Sequence, residues 1–173
     1  ISITWCDQVH SNIGDAVRNA DMIWVCAPVA SIPRLIQQFA QDLKPGAIVT
    51  DVGSTKAKLV KQCELAIGDH GIFVGSHPMA GSEKSGLEHA EVDLYCGKPC
   101  FVTPGKASTV DAVSVVEEYW KSLGMRTICL PANEHDRIVA YISHLPHLVA
   151  STLAALLFDR ADESWKDYVG TGI

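Results

Sequence analysis

Five short β-rich runs, at residues 22–27, 47–52, 72–75, 100–103 and 127–130, punctuate the chain, each bounded by turn-forming residues. Continuous apolar runs of this length suit strands buried on both faces. Between them lie stretches with helical spacing, at 13–19, 32–43, 56–67 and 110–123. The last of these repeats its apolar positions at Val113, Val116, Trp120 and Leu123. Strand and helix alternate throughout, which predicts an α/β fold: a largely parallel sheet with helices on its faces and right-handed crossovers. Lys44-Pro45-Gly46 and Ser122-Leu123-Gly124 supply the helix stops that this order needs.

From Pro131 the pattern changes to one long helical segment, 134–158, with no strand after it. This places a domain boundary between residues 131 and 132. On the long helix Asp136, Ala140, Ser143, His147 and Ser151 share a small, polar face with His144 beside them. Ile138, Ile142, Leu145, Val149, Leu153 and Leu156 form an apolar face. Pro146 lacks a backbone donor and is expected to kink the helix beside the two histidines.

Composition narrows the function classes. A chain of 173 residues with 47% hydrophobic and 20% charged positions supports one well-buried domain and a small helical annex. A net charge of −6 without a Lys/Arg cluster argues against nucleic acid as a partner. The longest nearly apolar stretch, 148–158, is shorter than the roughly 20 residues a membrane helix needs, so no span is expected. The six cysteines include no CxxC pair and read as reduced, mostly buried thiols of a cytosolic protein. Cys96, Cys100 and His89 match no common zinc spacing, and no metal site is expected. The chain begins without methionine and stops at Gly170-Thr171-Gly172-Ile173 without a closing helix, as a fragment would.

The chemistry concentrates in Gly75-Ser76-His77-Pro78-Met79-Ala80-Gly81-Ser82-Glu83-Lys84, where a strand opens into a glycine-rich loop. Such strand ends are where α/β proteins hold reactive groups. His77 beside Glu83 and Lys84 is a candidate general base; the plain alternative is a structural histidine fixed by Pro78 and Gly81. Ser143-His144-Leu145-Pro146-His147 sets two more imidazoles on one helix face, where pocket lining and simple packing under a kink stand level. Asp51-Val52-Gly53-Ser54-Thr55-Lys56 leads from a strand into a helix. Ser54 is placed to cap that helix while the free amides and Lys56 face an anionic or polar ligand, and a cap alone is an equal reading. Cys26-Ala27-Pro28-Val29 ends another strand on the same sheet edge. His10, His70 and His89 read as solvated, and Asp136, next to His135 at a helix start, as acting through the helix dipole.

The block 51–56, the block 75–86, Glu134-His135-Asp136 and 143–147, in this order and spacing, resemble the prephenate and arogenate dehydrogenases. The resemblance covers most of the chain. It implies a Rossmann-type NAD(P)-binding domain over 1–131, with helices on both faces of its sheet, followed by the start of an all-α substrate and dimerisation domain over 132–173. It implies oxidative decarboxylation of prephenate or arogenate with NAD or NADP, giving 4-hydroxyphenylpyruvate or tyrosine, in a cytoplasmic homodimer of the tyrosine route. In this reading His77 is the general base and Ser54 holds the same substrate hydroxyl. Glu83, His144 and His147 line the substrate pocket, and Ala27, Pro28, Val29, Gly53 and Ser54 meet the cofactor. His147 leans the choice towards prephenate. Two family features are missing: the GxGxxG turn and the arginine that follows the second glycine-rich turn, so weak or absent activity is expected of the chain alone. The alternatives are another NAD(P)-dependent oxidoreductase of the hydroxyacid type, which the lack of a helix-borne Lys-x-x-Asn pattern disfavours; a non-catalytic binding module; and a metal site on His77, His144 and His147.

Overall fold

The computed structural model describes residues 6–81 and 86–160. Its strands are β1 (Met22–Val25), β2 (Ile48–Asp51), β3 (Ile72–Pro78), β4 (Pro99–Pro104) and β5 (Arg126–Cys129). Its α-helices are α1 (Ile13–Val17), α2 (Ile32–Phe39), α3 (Ala57–Ile67), α4 (Val110–Ser122), α5 (Ala132–Val139) and α6 (Leu145–Arg160). The strands lie in the order β1-β2-β3-β4-β5, all adjacent pairs parallel except β3 and β4.

The antiparallel pair matters for the site. Between β3 and β4 the described residues hold one 3₁₀ turn, Leu87–His89, and no α-helix to carry the chain back to the starting edge, so β4 returns along β3. Pairing with β4 extends β3 three residues beyond the predicted end at Gly75, through His77↔Phe101 and Pro78↔Cys100. His77 therefore sits in a strand, with its backbone fixed by a neighbour, and not in the loop that follows.

Side-chain alternation divides the core between the two faces of the sheet. Val49 and Phe73 pack against Ile32, Ile36 and Phe39 of α2 and Leu59, Val60, Cys63 and Ile67 of α3. On the other face Val74, Cys100 and Val102 meet Ala112, Val116 and Trp120 of α4. Trp24 reaches across from β1 to meet Tyr119 at a tilt and Trp120 edge-on, with ring centroids 4.5 and 4.6 Å apart. Each large side chain buried this way is worth roughly 1.5–3 kcal/mol. Asn12 starts α1 by accepting the Gly14 amide at 2.8 Å.

The chain divides into two compact units, 1–136 and 137–173. A π-helical segment, Ala140–His144, leads into α6 just before Pro146 and absorbs the irregularity that the proline was expected to cause. The predicted polar and apolar faces of this helix do not separate by burial. Leu148, Val149, Leu153, Leu156, Leu157 and Phe158 are exposed, and so are His144 and His147. The 28-residue helix 132–159 is long and apolar enough to cross a membrane, with a mean hydropathy of 1.4 in its richest window. It is longer than the uninterrupted stretch 148–158 because polar residues are interspersed along it. Core helices of soluble proteins share this length and composition.

Candidate active site at the ends of β2 and β3

The site is built on a buried ion pair. β2 ends at Asp51, whose carboxylate is fully buried and so requires compensation. Lys56 supplies it from five residues on, its Nζ donating to Asp51 Oδ2 at 2.5 Å and to the Ser76 carbonyl at 2.8 Å. The amides of Gly53 (2.7 Å) and Ser76 (3.2 Å) complete the shell of Asp51. Burial pushes the Lys56 ammonium below its ordinary range, with Asp51 pulling the other way. The expectation that Lys56 faces a ligand is thus corrected: it is a strut that ties the turn after β2 to the strand carrying His77. Ser76 adds a second tie, its hydroxyl donating to the Asp51 carbonyl at 2.5 Å and lying 3.0 Å from Thr50 Oγ1.

Gly53 has no room for a side chain. A Cβ there would stand 2.8 Å from Asp51 Oδ2, 3.0 Å from Leu59 Cδ2 and 3.1 Å from Val29 Cγ2. The contact with Val29 means that the turns after β1 and β2 press against each other along one sheet edge. On that edge Pro28, Ser54 and Thr55 are exposed, while Ala27 and Val29 are half-buried.

His77, 9% exposed, belongs to a chain of hydrogen bonds. Its Nδ1 lies 2.9 Å from Nε2 of His135, and Nδ1 of His135 lies 2.8 Å from Oδ1 of Asp136. Asp136 Oδ1 also accepts the Lys56 amide at 2.7 Å, and Oδ2 the Ala57 amide at 2.9 Å. The expected Ser54 cap is therefore corrected. The first amides of α3 are capped by a carboxylate 80 positions away, which leaves the Ser54 hydroxyl unspent on the helix. Nor does Asp136 act on its own helix, as its position beside His135 suggested. Burial works against the Asp136 charge, but the Ala57 amide, His135 and the Lys56 amide outweigh it and hold the carboxyl below its usual range. Burial pushes His135 below the ordinary histidine range despite the pull of Asp136, so it is neutral at neutral pH. The fully buried His135 ring also stands edge-on to Phe101, centroids 5.1 Å apart.

His135 and Asp136 are the site residues that sequence reasoning passed over as functional; the adjacent His-Asp pair after Pro131 was visible, but its partners are distant in sequence. Glu83, with Lys84, lies outside the described residues. His144 and His147 are exposed on the second unit. Only Cys63 and Cys100 of the six cysteines are buried, both pushed up to about 12 by burial; this corrects the expectation of mostly buried thiols. Among the described residues no three His, Cys, Asp or Glu side chains converge as metal ligands.

The unit 1–136 is thus of the Rossmann-type nucleotide-binding class, with the turns after β1 and β2 and the end of β3 at one edge of the sheet and a helical unit following. The particular family comes from comparison with known proteins. The family model for "Prephenate dehydrogenase, nucleotide-binding domain" matches residues 3–129, and that for "Prephenate dehydrogenase, dimerization domain" matches 131–170. The chain belongs to the prephenate dehydrogenase family. It is 34% identical to the cyclohexadienyl dehydrogenase of Zymomonas mobilis over 151 residues, 87% of this chain and 51% of the relative. It is 36% identical to the prephenate dehydrogenase of Lactococcus lactis over 148 residues, 84% of this chain and 40% of the relative. It resembles the crystal structure of prephenate dehydrogenase from Aquifex aeolicus in complex with hydroxyphenyl propionate and NAD+, with a TM-score of 0.83 and 32% identity, covering 94% of this chain and 57% of that one. The chain spans about half the length of the curated relatives it matches.

Proposed function

We propose that the protein carrying this chain oxidatively decarboxylates prephenate, or its amino analogue arogenate, with NAD or NADP, giving 4-hydroxyphenylpyruvate or tyrosine. The observation that carries this reading is the buried chain His77–His135–Asp136, which orients an imidazole at the end of β3 beside the serine turn after β2. The two adjoining turns fit a dinucleotide: they lie on the edge where α/β sheets bind such ligands, and glycine at position 53 lets them close on each other. Ala27, Pro28, Val29, Gly53 and Ser54 would hold it, and when bound its nicotinamide accepts hydride from the substrate ring carbon.

The residues of the chain supply position and proton transfer. Ser54, exposed and free of helix capping, holds the ring hydroxyl. His77 removes the hydroxyl proton as the carbon is oxidised, and loss of the ring carboxylate as carbon dioxide then yields an aromatic ring. General-base help of this kind is worth about 100- to 10,000-fold in rate. Glu83, His144 and His147 line the substrate site in this proposal, and the domain boundary is set at 131/132, close to the end of the first family model at 129 and the start of the second at 131. The exposed leucines of α6 serve a homodimer, since a helix apolar on nearly every side is built to be covered. The partners are small molecules in the cytoplasm, with neither nucleic acid nor a membrane involved. Assays with prephenate and arogenate, each with NAD+ and NADP+, test the proposal: turnover with at least one pair supports it, and none with any pair from folded full-length protein refutes it.

A further inference from the structure

The contact between His77 and His135 carries information about protons. Two ring nitrogens 2.9 Å apart in a buried site share one proton: two would repel and none would leave two lone pairs facing each other. Which ring owns the proton is settled at the far end of the chain. Asp136 is ionised and its oxygens face the amides of Lys56 and Ala57, so towards His135 it can only accept. The Nδ1 of His135 must therefore donate. Because His135 is neutral, its Nε2 is then a lone pair, and the shared proton belongs to Nδ1 of His77. In its neutral form His77 then carries its lone pair on Nε2.

We propose that Asp136 and His135 are positioning residues that fix the tautomer of His77, making Nε2 its proton-accepting atom, and that the same carboxylate locks this base to the Ser54 turn through the first amides of α3. One side chain thus sets both the chemistry of the base and the place of the serine that works with it. Without the pair, an imidazole in this position loses its imposed tautomer and places a proton on the nitrogen that should receive one. The inference deepens the proposed function and rests on His77 acting as base.

The test has one arm that needs no activity. Nitrogen NMR of the imidazole rings of this chain is expected to show both His77 and His135 protonated on Nδ1. His135→Phe keeps the ring packing on Phe101 but removes the acceptor, and should release His77 to a mixture of tautomers. His135→Gln returns an acceptor through its amide oxygen and should restore the Nδ1–H form. In the full-length enzyme the phenylalanine variant should lose on the order of 100-fold in kcat, with the KM for nucleotide little changed and most of the rate regained by the glutamine variant. A wild-type His77 that carries its proton on Nε2 would overturn the inference whatever the activity. So would equal kcat in the phenylalanine and glutamine variants. Should the phenylalanine variant not fold, Asp136→Ala, which frees the His135 ring, is expected to give the same loss of tautomer, and an unchanged His77 there would equally overturn it. Failure of wild-type enzyme to turn over any substrate pair would instead refute the proposed function and leave the tautomer assignment standing.

Discussion

Replacing Lys56 with methionine tests the foundation of the site. The substitution keeps an unbranched side chain of similar length and removes the ammonium that donates to Asp51 Oδ2 and to the Ser76 carbonyl, both in a fully buried setting. Asp51 would keep only the Gly53 and Ser76 amides. Removing one partner of a buried pair costs about 3–5 kcal/mol. The stranded Ser76 carbonyl, at about 1–3 kcal/mol, overlaps with that loss and does not add to it in full. Lys56→Met should therefore lose ~3–5 kcal/mol, a fall of roughly 1.5–2.5 M in the urea midpoint at an m-value of about 2 kcal/mol/M. Adding Asp51→Asn should recover at least ~2 kcal/mol, since the buried charge is then gone. A loss below about 1 kcal/mol would refute the claim that this pair holds the turn after β2 to β3.

Further tests follow from the same geometry. Gly53→Ala forces a methyl to within 2.8 Å of Asp51 Oδ2 and 3.1 Å of Val29 Cγ2, and should cost ~1–3 kcal/mol in thermal or chemical unfolding; a neutral result would mean that the two turns are not in firm contact. Stability should fall on acidification below about pH 6.5, the ordinary histidine value. There the unfolded chain protonates His135 while the folded one, whose pKa burial has lowered, does not. Asp136, also depressed, extends the loss in the same direction at lower pH through its own carboxyl. The charged groups facing His135 are Asp136 on its own helix and Asp51 and Lys56 across from it, with His77 beside it. His135→Gln should flatten the upper part of this acid limb, and an unchanged limb would reassign it.

Much of the fold was legible because it is local. The apolar spacing of 110–123 and 56–67 predicted α4 and α3 to within a residue at each end, and the strands followed from short β-branched runs between turns. What was not legible depends on partners far away in the chain. β3 runs on through His77 because β4 pairs with it, and nothing in 72–78 announces that partner. A lysine after Gly-Ser-Thr looks like a ligand-facing charge until Asp51 and the Ser76 carbonyl are seen to bury it. Ser54 has the right chemistry and place for a cap, yet the carboxylate of Asp136 arrives from another element and takes that role. On α6 burial does not separate the two faces, because its leucines and histidines are alike exposed, and the π-helical segment shifts the phase between the residues before and after it.

The central claim is that His77 is the base of a dehydrogenase site. It is tested most directly by comparing full-length wild-type protein with its His77→Asn variant, following reduced nicotinamide and hydroxyphenyl product from prephenate or arogenate. The account predicts turnover in the wild type, a loss on the order of 100-fold or more in the variant, and nucleotide affinity little changed between them. Equal turnover in the two proteins would contradict it.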